Sequence, residues 1–162
     1  MPQAPTRALL VAALVLVASL AVARTPTPSM AAFEGRWVGV GVEPAPGARR
    51  QPRPAERQEA TRANLVFATE AFTSHWRIGC ANPRYTVLMV PPRGLFQGMF
   101  SERDAADDAD RMGFPEGDVP TLRVDCPNSS IDFHLAGPTT LRFALDPLHR
   151  RPLSCLAGCC CR

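Results

Sequence analysis

The six cysteines are the residues of this chain whose type and spacing first suggest chemistry. Cys80 and Cys126 lie within patterned sequence, whereas Cys155 and the run 159–161 crowd the last eight residues. In an exported chain, which the N-terminal segment described below indicates, cysteines predict disulfides before metal sites or nucleophiles. Three consecutive cysteines fit poorly around one tetrahedral metal ion. We therefore predict a disordered, Cys-rich tail over 148–162 and assign it no function.

A disulfide between Cys80 and Cys126 is the bond that the pattern favours. Each cysteine shares its alternation with the apolar residues of its strand, and the bond would close a loop of about 45 residues. In a strict up-and-down arrangement of eight strands the two cysteines end the third and sixth strands, at opposite rims. The bond therefore requires a crossover in the acidic insertion or a strand count that is off by one; otherwise Cys126 should pair with the tail.

Two histidines are candidates for acid-base or metal chemistry. His75 and His134 fall on the polar sides of their alternating segments, beside Arg77 and Asp132 respectively. A ligand to haem or zinc should project into a cavity, and no Gly-x-Ser-x-Gly elbow supplies a nucleophile. We predict solvent-exposed histidines, no catalytic residue and no enzyme activity.

A cluster of carboxylates raises the question of calcium, which binds several oxygen ligands. Its spacing lacks the Asp-x-Asp-x-Asp-Gly loop, so a solvated acidic loop, no metal site and no cofactor are predicted. The cluster consists of Asp104, Asp107, Asp108 and Asp110.

A dense group of arginines could hold an anionic head group or a polyanion, since guanidinium forks suit phosphate and carboxylate. The alternative is a solvated linker that pairs loosely with the acidic insertion. The group consists of Arg49, Arg50, Arg53, Arg57 and Arg62.

The N-terminal residues indicate the cellular compartment in which the protein is expected. One cation (Arg7), an apolar run of sixteen residues from Ala8 to Ala23 and small residues at its end are typical of a secretory signal peptide. We predict cleavage of residues 1–23, a flexible leader over 24–32, and a periplasmic or secreted product with no stable membrane span. The eighteen cations are all arginine, which indicates a GC-rich bacterial gene, and the net charge of +3 gives no support to nucleic-acid binding.

From Phe33 onward the hydrophobic pattern has a period of two, which predicts antiparallel strands with one buried face. Two insertions interrupt it: 43–62, too rich in proline for regular structure, and 101–118, whose residues 102–112 could form a short helix. The chain is thus predicted to be all-β, with about eight strands in a single barrel or sandwich. The predicted strands are 33–42, 63–69, 72–79, 84–90, 94–100, 119–126, 130–136 and 139–146.

The opening of the first strand, Gly35-Arg36-Trp37, resembles the Gly-x-Trp motif of lipocalins and the wider calycin group. The resemblance implies a single antiparallel up-and-down barrel over 33–147. It also implies that Trp37 closes one end and that an arginine of the last strand, here Arg142, packs over the indole. Such a contact contributes about 0.5 to 2 kcal/mol.

The expected function is binding, by an exported barrel that takes a small hydrophobic or amphipathic ligand. The pattern leaves open whether the interior is a cavity or a filled core. The alternative is a rigid barrel that inhibits or scaffolds another envelope protein through its rim loops. The predicted interior, and with it the candidate ligand site, comprises Phe67, Phe72, Trp76, Tyr85, Phe133, Leu141 and Phe143.

Overall fold

The computed structural model describes residues 28–44, 46, 50–75, 78–145 and 156–161. The predicted signal peptide, Trp76 and most of the predicted tail lie outside these residues. Two α-helices, α1 (Pro54–Arg62) and α2 (Ala105–Arg111), and two 3-10 segments, Met30–Ala32 and Pro92–Gln97, accompany the strands. The strands are β1 (Gly35–Pro44), β2 (Asn64–Ala68), β3 (Ala71–Ser74), β4 (Cys80–Ala81), β5 (Arg84–Val90), β6 (Val119–Cys126), β7 (Ser129–Gly137), β8 (Thr140–Leu145) and β9 (Leu156–Cys161).

All the strand pairs are antiparallel, which confirms the predicted all-β class. Strands β1 to β4 form one four-strand array and β5 to β8 another. Strand β9 pairs with both β1 and β8 and joins the arrays in the order β4-β3-β2-β1-β9-β8-β7-β6-β5. Among the described residues, β4 and β5 are the two edges of the sheet.

The central strand β9 was not predicted from the sequence. Leu156–Cys161 pairs with β1 from Val38 to Pro44 and with β8 from Thr140 to Leu145. The prediction of a disordered tail is wrong for this segment. A strand with a partner on each side has its backbone hydrogen-bonding groups satisfied, which a free tail would leave to water.

One predicted strand is also wrong. Residues 94–100 contain a 3-10 segment that is broken where Leu95 leaves the helical region and Phe96 takes φ 51°. Gln97, at φ 60°, is in the left-handed region as well. The apolar residues that suggested a strand are instead buried against the outer face of the sheet.

The first core lies between the two arrays. Phe67 of β2 meets Phe133 of β7 edge to face, with 4.9 Å between ring centroids, and stacks on Phe72 at 5.2 Å. Of the predicted interior residues, Phe67, Phe72, Phe133, Leu141 and Phe143 are buried in this core and Tyr85 packs against it. Contacts between rings of opposite arrays mean that the sheet curves until its two halves face each other.

A second core covers the other face of β6 to β8. It is formed by the segment 92–114 together with Val119 of β6. Within the segment, α2 confirms the predicted short helix, and Gly113, two residues after its end, has φ 73°. The buried members are Leu95, Phe96, Phe100, Ala105, Ala109, Met112, Phe114 and Val119.

The arginine-rich insertion contains regular structure, contrary to the prediction for 43–62. Glu56 begins α1 by accepting from the Arg53 amide at 2.7 Å and from both terminal nitrogens of Arg50 at 2.8 and 3.0 Å. The Arg50 hydrogen bonds are the main cause that lowers the pKa of Glu56 to about 2. Arg57 donates twice to the Pro52 carbonyl. These arginines are therefore engaged within their own segment; Arg49 lies outside the described residues.

The disulfide between Cys80 and Cys126 is confirmed, with an S–S distance of 2.01 Å. The topological objection disappears because the predicted strand 94–100 does not exist. Strand β5 therefore pairs directly with β6, and Arg84 lies opposite Asp125. Two residues separate the end of β4 from the start of β5, and the start of β5 lies beside the end of β6. Cys80 of β4 is therefore close to Cys126 at the end of β6.

Gly39 and Gly41 of β1 differ in whether the surrounding packing leaves room for a side chain. A Cβ on Gly39 would lie 1.8 Å from the Ala60 carbonyl oxygen of α1, and the Gly39 amide donates to the Ala63 carbonyl at 2.9 Å. A Cβ on Gly41 would have no atom within 4 Å. Only Gly39 is required by the close approach of α1.

We predict that Gly39→Ala lowers the free energy of unfolding by about 1 to 3 kcal/mol, because the colliding atoms belong to the backbone and cannot move aside. The matched control, Gly41→Ala, should change it by less than about 0.5 kcal/mol. Urea denaturation followed by tryptophan fluorescence measures both. Equal effects of the two variants would show that α1 does not pack on β1 as described.

Candidate functional site on the outer face of the sheet

The polar residues that alternate with the first core lie together on the outer face of β6, β7 and β8. Thr121 is opposite His134, Arg123 is opposite Asp132, and His134 is also opposite Arg142. Cross-strand partners share a face of the sheet. We call these five residues the polar layer. It brings His134 of β7 and Arg142 of β8 onto one face of the sheet.

His134 is fully buried, so the prediction of a solvent-exposed histidine is wrong for this residue. The Phe96 amide donates to Nε2 at 2.9 Å, which requires an unprotonated Nε2. Nδ1 therefore carries the proton and donates to Thr121 Oγ1 at 2.8 Å. The Thr121 hydroxyl donates in turn to the Val119 carbonyl at 3.1 Å. His75, in contrast, is exposed as predicted.

Burial is the main cause that lowers the pKa of His134 to about 4. The Asp132 carboxylate raises this pKa and the Arg123 guanidinium lowers it, both by smaller amounts. At neutral pH the ring is uncharged and both nitrogens are engaged. It could accept a proton from a substrate only by losing the hydrogen bond from Phe96, so the geometry favours a structural role over general base catalysis.

Arg123 and Asp132 form a bidentate ion pair in the same layer. Nε and Nη2 donate to the two carboxylate oxygens, each at 2.8 Å. The Asp132 side chain is 3% exposed. A buried carboxylate needs such a partner, and the two parallel hydrogen bonds fix the orientation of both side chains.

Arg142 occupies a different position from the one that the calycin resemblance implies. Trp37 belongs to the first core together with the neighbours of Arg142 in β8, Leu141 and Phe143. Since side chains alternate along a strand, Arg142 lies on the opposite face. The predicted packing of Arg142 over Trp37 is therefore wrong. Trp37 is buried and donates its indole N–H to the Phe33 carbonyl at 2.8 Å.

The counter-ion of Arg142 is Glu43 of β1, 2.8 Å from Nη1. A β-bulge between Gly39 and Gly41 makes this pairing possible. It inserts Val40 as an extra residue and so reverses the facing of every later side chain in β1. Glu43 would otherwise point toward the first core.

The carboxylates of 101–118 are mostly exposed, as predicted, with one exception. Asp108 is buried and pairs with Arg111 one turn later in α2. Within the described residues, no group of three or more His, Cys, Asp and Glu side chains is arranged to hold a metal ion. The exposed carboxylates are Glu102, Asp104, Asp107, Asp110, Glu116 and Asp118.

A groove of about 380 Å³ opens at the start of β1. It is lined by Glu34, Gly35, Phe67, Ala68 and Thr69, of which Phe67 is a buried residue of the first core. The polar layer lies on the other face of the sheet.

No protein-family model matches the chain, nor does any curated protein or solved structure. The features that agree with the calycin resemblance are the antiparallel meander and the burial of Trp37 near the start of β1. The arginine contact that belongs to the same resemblance is replaced by the Arg142–Glu43 pair. Neither helix in the described part of the chain is long and apolar enough to cross a bilayer.

We predict that His134 makes stability depend on pH between about 4 and 6.5. In this window the unfolded chain takes up a proton that the folded chain excludes. The stabilisation is complete above pH 6.5 and is lost as the pH falls toward 4, by about 3 kcal/mol in all. Urea denaturation at half-unit pH steps, compared with His134→Gln, measures this contribution.

The glutamine variant can still accept from the Phe96 amide through its side-chain oxygen but cannot titrate. Its unfolding free energy should therefore vary less across the same pH window. An unchanged slope in His134→Gln would assign the pH dependence to other groups.

Proposed function

We propose that the chain is an exported binding protein, periplasmic or secreted, whose rigid barrel presents its loops to a protein of the cell envelope. The observation that carries this proposal is the filled interior. Phe133 contacts Phe67, Phe72 and Phe143 at centroid distances of 4.9 to 5.3 Å. A ligand could enter there only by separating rings that pack on each other, so binding is expected on the outside.

A closed, calycin-like barrel is the finer form of the fold that we propose. Three features support it, because each links a strand from one four-strand array to the other. The Cys80–Cys126 bond joins β4 to β6. The Tyr85 hydroxyl of β5 bonds to the carbonyls of Ala68 and Ala71, at 2.9 and 3.2 Å, where β2 turns into β3. Ring contacts across the first core draw β2 toward β7.

The surface best suited to a protein partner is the segment 101–118. The second core anchors it, because Ala105, Ala109 and Met112 are buried beneath its exposed carboxylates. A fixed acidic surface binds without a large cost of ordering and attracts a basic partner by electrostatic steering. We therefore propose a partner with a basic contact surface.

Charge reversal tests this proposal. Asp107→Lys with Asp110→Lys should abolish salt-sensitive cross-linking of the purified protein to basic proteins in an extract of envelope proteins. The matched control, Glu59→Lys with Glu70→Lys, changes exposed carboxylates elsewhere and should keep the cross-links. Loss in both variants, or in neither, would refute an interface on 101–118.

A second candidate function is the binding of a small amphipathic ligand, and the groove over Phe67 favours it. Its lining combines Phe67 and Ala68 with the Glu34 carboxylate, so a ligand with an apolar body and a polar end that is not anionic fits its chemistry. This arrangement keeps the ligand outside the packed core.

Blocking the groove separates the two candidates. Ala68→Trp should fill it, because residue 68 is exposed and lines its wall, while Ala68→Ser should leave it open. The expected result is uptake of the uncharged dye Nile red by the wild type and the serine variant, and at least about tenfold weaker uptake by the tryptophan variant. Equal uptake by all three would exclude the groove as the ligand site.

A further inference from the structure

Arg142 is held in an unusual way for a buried cation. Its side chain is only 12% exposed, and it crosses over β9 to reach Glu43 on β1. On another side it approaches the end of α2, where a Cβ on Gly113 would lie 4.0 Å from Nη2. The guanidinium is thus placed among three elements, with one carboxylate for a partner.

The hydrogen-bonding groups of Arg142 are incompletely used. Nη1 donates to Glu43, but Nε is buried and has no hydrogen-bond partner within the part of the chain that the structure describes. Arg123 provides the internal comparison, since its Nε and Nη2 together grip Asp132. The same Nε–Nη2 fork of Arg142 has no carboxylate opposite it among the hydrogen bonds that the described residues make.

The counter-ion of Arg142 is also of a different kind from that of Arg123. The Glu43 side chain is 54% exposed, whereas that of Asp132 is 3% exposed. An exposed carboxylate gains little from its ion pair and is readily rehydrated. The Glu43 carboxylate is therefore readily rehydrated, while that of Asp132 is not, and an anion that takes the place of Glu43 would keep the largely buried Arg142 neutralised.

There is room beside this pair on β1. Gly41 and Arg142 are both opposite Cys159, which places them on one row and one face of the sheet. A Cβ on Gly41 would have no atom of the described residues within 4 Å. Among those residues, nothing therefore covers the outer face of β1 at Gly41.

We propose that Arg142 binds a small oxyanion, a carboxylate or a phosphate, through its Nε–Nη2 fork, in competition with Glu43, the resident counter-ion at Nη1. A planar guanidinium fork matches the spacing of two oxygens on such an anion. Arg142 and Glu43 lie outside the segment 101–118 and do not line the groove. The oxyanion site is therefore independent of the function of those two surfaces.

Isothermal titration with inorganic phosphate and, separately, with acetate tests the site at constant ionic strength with chloride as the balancing anion. We expect saturable binding of at least one anion at one site, with a shift of the Arg142 Nε–H signal in NMR spectra. Arg142→Lys should weaken binding at least about tenfold, because an ammonium keeps the charge but has no fork. Glu43→Gln should tighten it several-fold by removing the competing charge.

The matched control is Arg36→Gln, which removes an exposed cation from β1 and should bind as the wild type does. Arg142→Gln serves as a second variant, and circular dichroism confirms that each variant is folded before titration. Any of three results would overturn the proposal: no saturable binding of either anion, wild-type affinity in folded Arg142→Lys and Arg142→Gln, or equal weakening by Arg36→Gln. Weaker anion binding by Glu43→Gln would show that Glu43 does not compete with the anion for Arg142.

Discussion

Burial of both faces of β6, β7 and β8 is the constraint on which the rest of the structure depends. One face meets the aromatic first core and the other lies beneath the segment 92–114. Each buried polar group between the two cores therefore costs about 1 to 3 kcal/mol if it has no partner within the protein. His134 and Asp132 meet this requirement through Thr121, the Phe96 amide and Arg123.

This double burial explains what the sequence could and could not predict. Alternation correctly located 84–90 and 119–126, because the apolar half of the pattern is the same whether the polar half meets water or other protein. It could not show that His134 is buried, since a paired polar layer and a wet face have the same spacing. The available signal was Phe114, which stands in the otherwise polar insertion 101–118 and needs a place to be buried.

The segment 94–100 accounts for several differences between the predicted and the observed fold. Residues 94–100 have the composition of a strand, but the left-handed conformations of Phe96 and Gln97 aim Phe96 at the sheet rather than along it. Counting this segment as a strand placed Cys80 and Cys126 at opposite rims. The segment 156–161 was missed for the converse reason. Its continuous run of small and apolar residues has no alternation, so no period of two marks it as a strand.

The same packing decides where this protein can bind. A ligand inside the sheet would have to replace contacts among aromatic rings that already fill the space, and it would gain only the difference between the two sets of contacts. A ligand outside keeps all of them. The surfaces at 101–118 and around Arg142 are fixed in place by the second core and by the bulge in β1, so association there loses little conformational freedom. A sheet that folds around a filled core is in this sense a scaffold that holds the side chains on its exterior in fixed positions.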